Sequence, residues 1–296
     1  MASATDQLRE QPQTTERPIP WVALAWFTVL LIAAYYPILA ALVRQWSNDE
    51  DVSHGFFVPL VAAFIAWQRK DRILAVQQKP AWWGLGIMAY GALQGYIGML
   101  GAELFLQRTS FLITLVGLLL VVGGVALVKE LLFPLLLLPF MIPIPSVIYN
   151  QITFPLQLFA SQVAETALGL IGIPVLRDGN VLELASQRLS VAEACSGIRS
   201  LLSLSFLSLV FAFFFDDRVW MRWVLLISTI PIAIIANSGR VTLTGILSEY
   251  NTELARGFFH SLEGWIIFII ALAMLIGLHT LLNRLTRTPG KEATVA

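Results

Sequence analysis

Ser110-Phe111-Leu112-Ile113-Thr114-Leu115-Val116-Gly117-Leu118-Leu119-Leu120-Val121-Val122-Gly123-Gly124-Val125-Ala126-Leu127-Val128 carries no charge and hardly a polar group. At about 1.5 Å rise per residue, a helix of this length crosses the roughly 30 Å hydrocarbon core of a bilayer. The same signature recurs along the 296-residue chain, which is 57% hydrophobic and 13% charged. A soluble domain carries about 25% charge. The expected fold class is therefore an all-α polytopic membrane protein of about eight transmembrane helices. The spans read as 21–43, 54–69, 83–101, 110–128, 131–149, 198–215, 219–237 and 260–282. Pro134, Pro139, Pro143 and Pro145 predict a kinked or re-entrant fifth span. The first apolar run, Trp21 to Val43, is too long for a signal-peptide core and reads as a span.

Lys and Arg number 19, as do Asp and Glu, so net charge gives no sign of a nucleic-acid partner. One cysteine permits no internal disulfide. With the N-terminus in the cytoplasm, 12 of the 19 basic residues, all four Lys among them, fall in cytoplasmic segments. The outer side keeps Arg44, Arg108, Arg177, Arg188, Arg199, Arg240 and Arg256. This is the positive-inside pattern of a multi-pass inner-membrane protein with both termini cytoplasmic. Residues 1–18 and 286–296 read as cytoplasmic tails, the former disordered, around a single membrane domain over 19–285.

Two outer segments, about 150–197 and 238–259, are long enough to build a site. In the first, Leu156, Phe159, Val163, Ala167 and Leu170 recur at helical spacing and predict an interfacial amphipathic helix. Runs at 174–177, 181–184 and 188–192, with Asp178-Gly179-Asn180 between the first two, predict a small β-meander. In the second, Asn237-Ser238-Gly239 is expected to break span seven. Leu243, Ile246, Leu247, Tyr250 and Leu254 predict a second interfacial helix.

The meander delivers the chain to Ala194-Cys195-Ser196-Gly197-Ile198-Arg199. A lone Cys is ordinarily a small buried hydrophobe. Cys195 differs because it stands at the predicted start of a membrane helix, where unpaired N–H groups and the helix dipole favour a thiolate. Gly197 leaves room for a substrate backbone. Arg240 and His260 are expected at the same depth and side. Alone, each has an ordinary explanation, a snorkelling cation and a solvated imidazole. Together with a thiolate they supply an oxyanion partner and a general acid for acyl transfer. His54, Glu193, Arg199 and Asn237 are supporting or substrate-binding candidates. His279, near the cytoplasmic end of span eight, reads as structural. No HExxH, GxSxG or metal-ligand cluster occurs, and no cofactor is expected.

Ala194-Cys195-Ser196-Gly197-Ile198-Arg199-Ser200, Asn237-Ser238-Gly239-Arg240, His260 with Glu263-Gly264, and Ser53-His54-Gly55-Phe56 resemble the exosortase/archaeosortase family over about residues 20–285. The resemblance implies a membrane cysteine protease or transpeptidase of PEP-CTERM-type sorting systems, with Cys195, Arg240 and His260 as nucleophile, cation and acid. It implies membrane-anchored protein substrates whose C-terminal tail joins a short motif, a span and a basic end. The chain ends soon after span eight, so the extra C-terminal domain of some bacterial members is not expected. Two other classes stay open: an acyltransferase of envelope polysaccharide assembly, and a transporter with a structural Cys. Span centres nearly free of ionisable residues count against the transporter.

Overall fold

A computed structural model describes residues 19–77, 79–191, 197–250 and 258–286. The chain folds as two compact units, residues 1–143 and 144–296.

In the first unit, α1 (Trp21–Ala34) and α2 (Tyr36–Asn48) meet at a 70° bend. Pro37, in the first turn of α2, lacks an N–H and its ring clashes with a preceding helical turn, so the helix cannot continue straight. A 3-10 helix over Glu50–Phe56 leads to α3 (Phe57–Gln68) and α4 (Lys70–Leu74). An antiparallel pair follows, α5 (Gly84–Leu100) and α6 (Leu104–Glu130). Gly84, Gly91 and Gly98 are buried at seven-residue spacing along their seam. A methyl on Gly91 would come 2.4 Å from Thr114 Oγ1, and one on Gly84 2.8 Å from the Gly117 carbonyl. Small residues let the backbones approach, which is how helices associate where lipid removes the hydrophobic drive. Gly124 interrupts α6 at φ 77°, with Lys79 O where a methyl would stand. The unit ends with α7 (Leu132–Leu137) and a 3-10 turn, Leu138–Met141.

The second unit begins with α8 (Ser146–Ile171), which starts directly after Pro145. Strands β1 (Val175–Asp178), β2 (Val181–Leu184) and β3 (Arg188–Ser190) form the expected antiparallel meander. Gly179 takes the positive φ its two-residue turn requires, at 61°. Then come α9 (Gly197–Phe215), α10 (Val219–Tyr250) and α11 (Phe258–Thr286). Leu204, Ala212, Met221, Leu225, Ala271 and Leu275 form the core of this three-helix group.

Each predicted span carries helix, but among the described residues three helices are long and apolar enough to cross a membrane. The number is five if each bent pair counts as one span. Against a count of about eight, the shortfall lies in α3, α5 and the apolar run of α9, which are shorter.

The two predicted outer helices are helical but take other bounds than expected. The first is the continuation of α8, which passes through Pro155 unbroken. Its buried face is Ala160, Ala164 and Leu168, while Phe159, Val163 and Leu170 point outward. In a membrane the large apolar side chains can face lipid while the small ones pack. The second is not a separate helix through Tyr250. Helix α10 runs on through Asn237-Ser238-Gly239, and residues 251–257 lie outside the described ones. Helical Asn, Ser and Gly each cost at most about 1 kcal/mol. The burial of Ala233, Ala236 and Val241 on both sides of them offsets that cost.

Asp216 locks the turn between α9 and α10. It is 7% exposed, and its carboxylate accepts from Arg218 at 2.9 and 2.6 Å and lies 3.2 Å from His279 Nε2. Arg218 also donates to Thr286, and Arg222 to the Asp216 carbonyl, so α11 is tied to the same turn. His279 is thus structural. Arg218's hydrogen bonds hold the Asp216 carboxyl well below the usual carboxylate range, against the opposing effect of burial. The folded-state pKa lies under the unfolded one, so the stabilisation is complete above about pH 4 and is lost as pH falls below that. Thermal unfolding of the detergent-solubilised protein between pH 7 and pH 3 should show this loss in wild type and a flatter profile in Asp216→Asn. Identical profiles would contradict it.

Candidate active site

Five of the sequence candidates fall in one stretch of the second unit and one helix start. Cys195 and Glu193 lie outside the described residues. Gly197 opens α9 two positions after Cys195, and Arg199 follows in its first turn with its side chain outside the described set. His260 is the third residue of α11, again with its side chain outside that set.

Val191, at the exit of the meander, is fully buried and belongs to one hydrophobic cluster with Leu182, Leu189 and Val241. Val241 is the neighbour of Arg240, so the same core holds the chain ahead of Cys195 and the helix that bears the cation. The meander is fixed on two sides. Asn180 donates to Gln157 at 2.9 Å, Ser161 donates to the Gly179 carbonyl at 3.0 Å, and Arg177 pairs with Glu165, all linking it to α8. Gln187 donates to Ser248 of α10 at 2.6 Å.

Arg240 sits inside α10, at about 32 Å from Val219 by helical rise. Its guanidinium lies against Gly264 of α11. A methyl on the Gly264 Cα would stand 3.5 Å from Nη2 and 3.6 Å from Cζ, ordinary van der Waals contact. Gly264 is four positions after His260, on the same helical face one turn along. The backbone therefore puts Arg240 and position 260 on facing surfaces of two packed helices. The role of Gly264 is not legible in one sequence, since a glycine in an apolar helix has many explanations.

Asn237 is buried and faces a cavity of about 10 Å³ that Leu156 of α8 and Leu201 of α9 also line. A space of that size holds about one water. Ser238, Gly239 and Thr242 occupy another face of α10, along an apolar groove with Phe159 and Val163. Ser238 and Arg240 are about 200° apart around the helix, so the groove and the cation look in different directions.

His54 belongs to the first unit, in the 3-10 helix ahead of α3. Its Nε2 lies 3.2 Å from the Phe140 carbonyl, to which it donates. Gly55 beside it has no room for a side chain, because a methyl would come 2.3 Å from the Trp46 indole, whose N–H donates to Met141 O.

Gly264→Ala should leave thermal stability nearly unchanged, while Gly264→Leu, which must displace the guanidinium, should cost about 1–3 kcal/mol. Equal unfolding temperatures for the two variants would show that the guanidinium does not rest on α11.

No curated protein and no solved structure gives a match. The family model described as transmembrane exosortase (Exosortase_EpsH) matches residues 46–277, well over half of the chain. The matched region contains the Cys195 segment, the Arg240 helix and the start of α11. This multi-pass membrane protein belongs to the transmembrane exosortase family, a family of cysteine transpeptidases that process sorting signals.

Proposed function

We propose that the protein cleaves the C-terminal sorting tail of membrane-anchored secreted proteins at the outer membrane–water interface. Cys195 is the nucleophile, Arg240 the oxyanion partner and His260 the general acid. The observation that carries this assignment is the Arg240 guanidinium resting on Gly264, one turn from His260 on the same face of α11.

The chemistry needs no cofactor. The Cys195 thiolate attacks the scissile carbonyl carbon, a C–S bond forms, and the carbonyl π electrons move to oxygen. Arg240 donates hydrogen bonds to that oxyanion, whose charge exists mainly in the transition state and intermediate. Collapse breaks the C–N bond as protonated His260 gives its proton to the departing amine. A thioester remains. Attack by water makes the reaction a hydrolysis, and attack by an amine makes it a transfer. A substrate held by its own span searches in two dimensions, which raises its effective concentration. Asn237, buried between α8, α9 and α10, is a supporting group that keeps α10 against the start of α9.

Sidedness has support within the second unit. Arg218, Arg222 and Arg284, with exposed Trp220 and Trp223, gather at the end where the α9–α10 turn meets the end of α11. An excess of basic residues favours a cytoplasmic face, while Trp marks a membrane interface on either side. Arg240 and the start of α11 stand at the opposite end, about one membrane thickness away along α10.

Cys195→Ala should abolish cleavage of a tail substrate in reconstituted vesicles while the protein still inserts, since losing such a group costs several orders of magnitude. A residual rate of about a tenth of wild type or more would remove the nucleophile assignment. Arg240→Lys keeps the charge but loses the planar fork, so turnover should fall greatly with little change in tail-peptide binding. His260→Ala should regain much activity on an ester in place of the scissile amide, because an ester leaves with less need of a proton. Arg240→Lys should regain far less. Equal rescue in the two variants would defeat this division of labour.

A further inference from the structure

Around the start of α6 in the first unit, polar side chains are tied down one after another. Glu103 caps the helix by accepting from Leu106 N at 2.7 Å. Gln107 donates to the Gly98 carbonyl, Thr109 to the Phe105 carbonyl, and Ser110 to the Gln107 carbonyl. Arg108 is the exception. It is 5% exposed, and among the described residues its guanidinium makes no hydrogen bond. Glu103 acts on it only through space. An arginine near a helix start ordinarily extends its head into the headgroup layer. This one instead turns into a cavity of about 110 Å³ between α2 and α6, lined by Pro37, Ile38, Ala41, Leu104, Gln107 and Arg108.

A buried cation without a directed partner is expensive unless something supplies one. The cavity, at about 110 Å³, is large enough to admit a phosphate group. Its walls are mostly apolar, and its charged element is a planar fork of N–H donors, the geometry that matches phosphate oxygens in pairs. It lies one turn inside the N-terminus of α6, where the helix dipole also favours an anion. We propose that this cavity binds a phosphate ester, with Arg108 as its charge partner and Pro37, Ile38, Ala41 and Leu104 as its apolar wall. Its residues belong to the first unit, while the proposed cleavage chemistry draws on residues of the second.

The test uses full-length protein in a mild detergent, with thermal unfolding and native mass spectrometry as readouts. Phosphatidylglycerol, its phosphate-free counterpart diacylglycerol, and inorganic phosphate are titrated separately. Saturable stabilisation by phosphatidylglycerol but not diacylglycerol is expected, with at least a tenfold loss of affinity in Arg108→Gln. Unliganded Arg108→Gln should be as stable as wild type, because it removes an unpaired buried charge. Ala41→Leu, which fills the cavity and keeps the charge, should lose the same binding. Arg108-dependent binding of inorganic phosphate that displaces phosphatidylglycerol would support the site and name free phosphate as its source. Equal binding of phosphatidylglycerol and diacylglycerol by wild type would overturn the proposal. So would unchanged phosphatidylglycerol affinity in Arg108→Gln or in folded Ala41→Leu.

Discussion

Helix α10 stays helical for 32 residues, through Pro231 and through Asn237-Ser238-Gly239, and much of the second unit takes its position from that continuity. The helix turns Arg240 toward Gly264 of α11, Val241 into the meander core, Asn237 toward α9, and Ser248 to Gln187. A break at Asn237 would uncouple these four contacts. What prevents it is packing on both sides of the weak stretch, reinforced by backbone satisfaction. Thr242 and Thr244 donate to the Ser238 and Arg240 carbonyls within the helix. Where water is scarce, an unpaired backbone group costs several kcal/mol, more than the propensity penalty of Asn, Ser and Gly.

Packing follows membrane rules. The seam of α5 and α6 is built on glycines, and α8 buries alanines while exposing Phe159 and Leu170. Close backbone approach trades side-chain volume for many short van der Waals contacts and leaves little freedom of sliding. For the proposed site, such rigidity would be useful. The groups that stabilise a developing charge must be in place before it forms, because reorganising them during the reaction would consume the benefit.

Polar chemistry is sorted by depth. At one end of the second unit, Asp216, Arg218, Arg222 and His279 satisfy one another and close the helices together. At the other end the Arg240 guanidinium packs against Gly264 of α11.

The sequence alone determined the class of protein, because bilayer thickness imposes long uncharged helices that no soluble fold needs. It determined the meander too, since Asp178-Gly179-Asn180 and alternating Leu182, Leu184 and Leu189 leave few other pairings. It offered Cys195, Arg240 and His260 as candidates through an ordered motif. Tertiary structure decided the rest. Helical periodicity found the apolar face of α8 but not which way it points, because a bilayer accepts large apolar side chains on the outside. Local propensity placed a break at Asn237 that long-range packing removed. The neighbourhood of Arg240 and Gly264, and the enclosure of Arg108 between α2 and α6, are contacts between residues far apart in the chain. No local pattern encodes them, since they depend on how closely two helices approach.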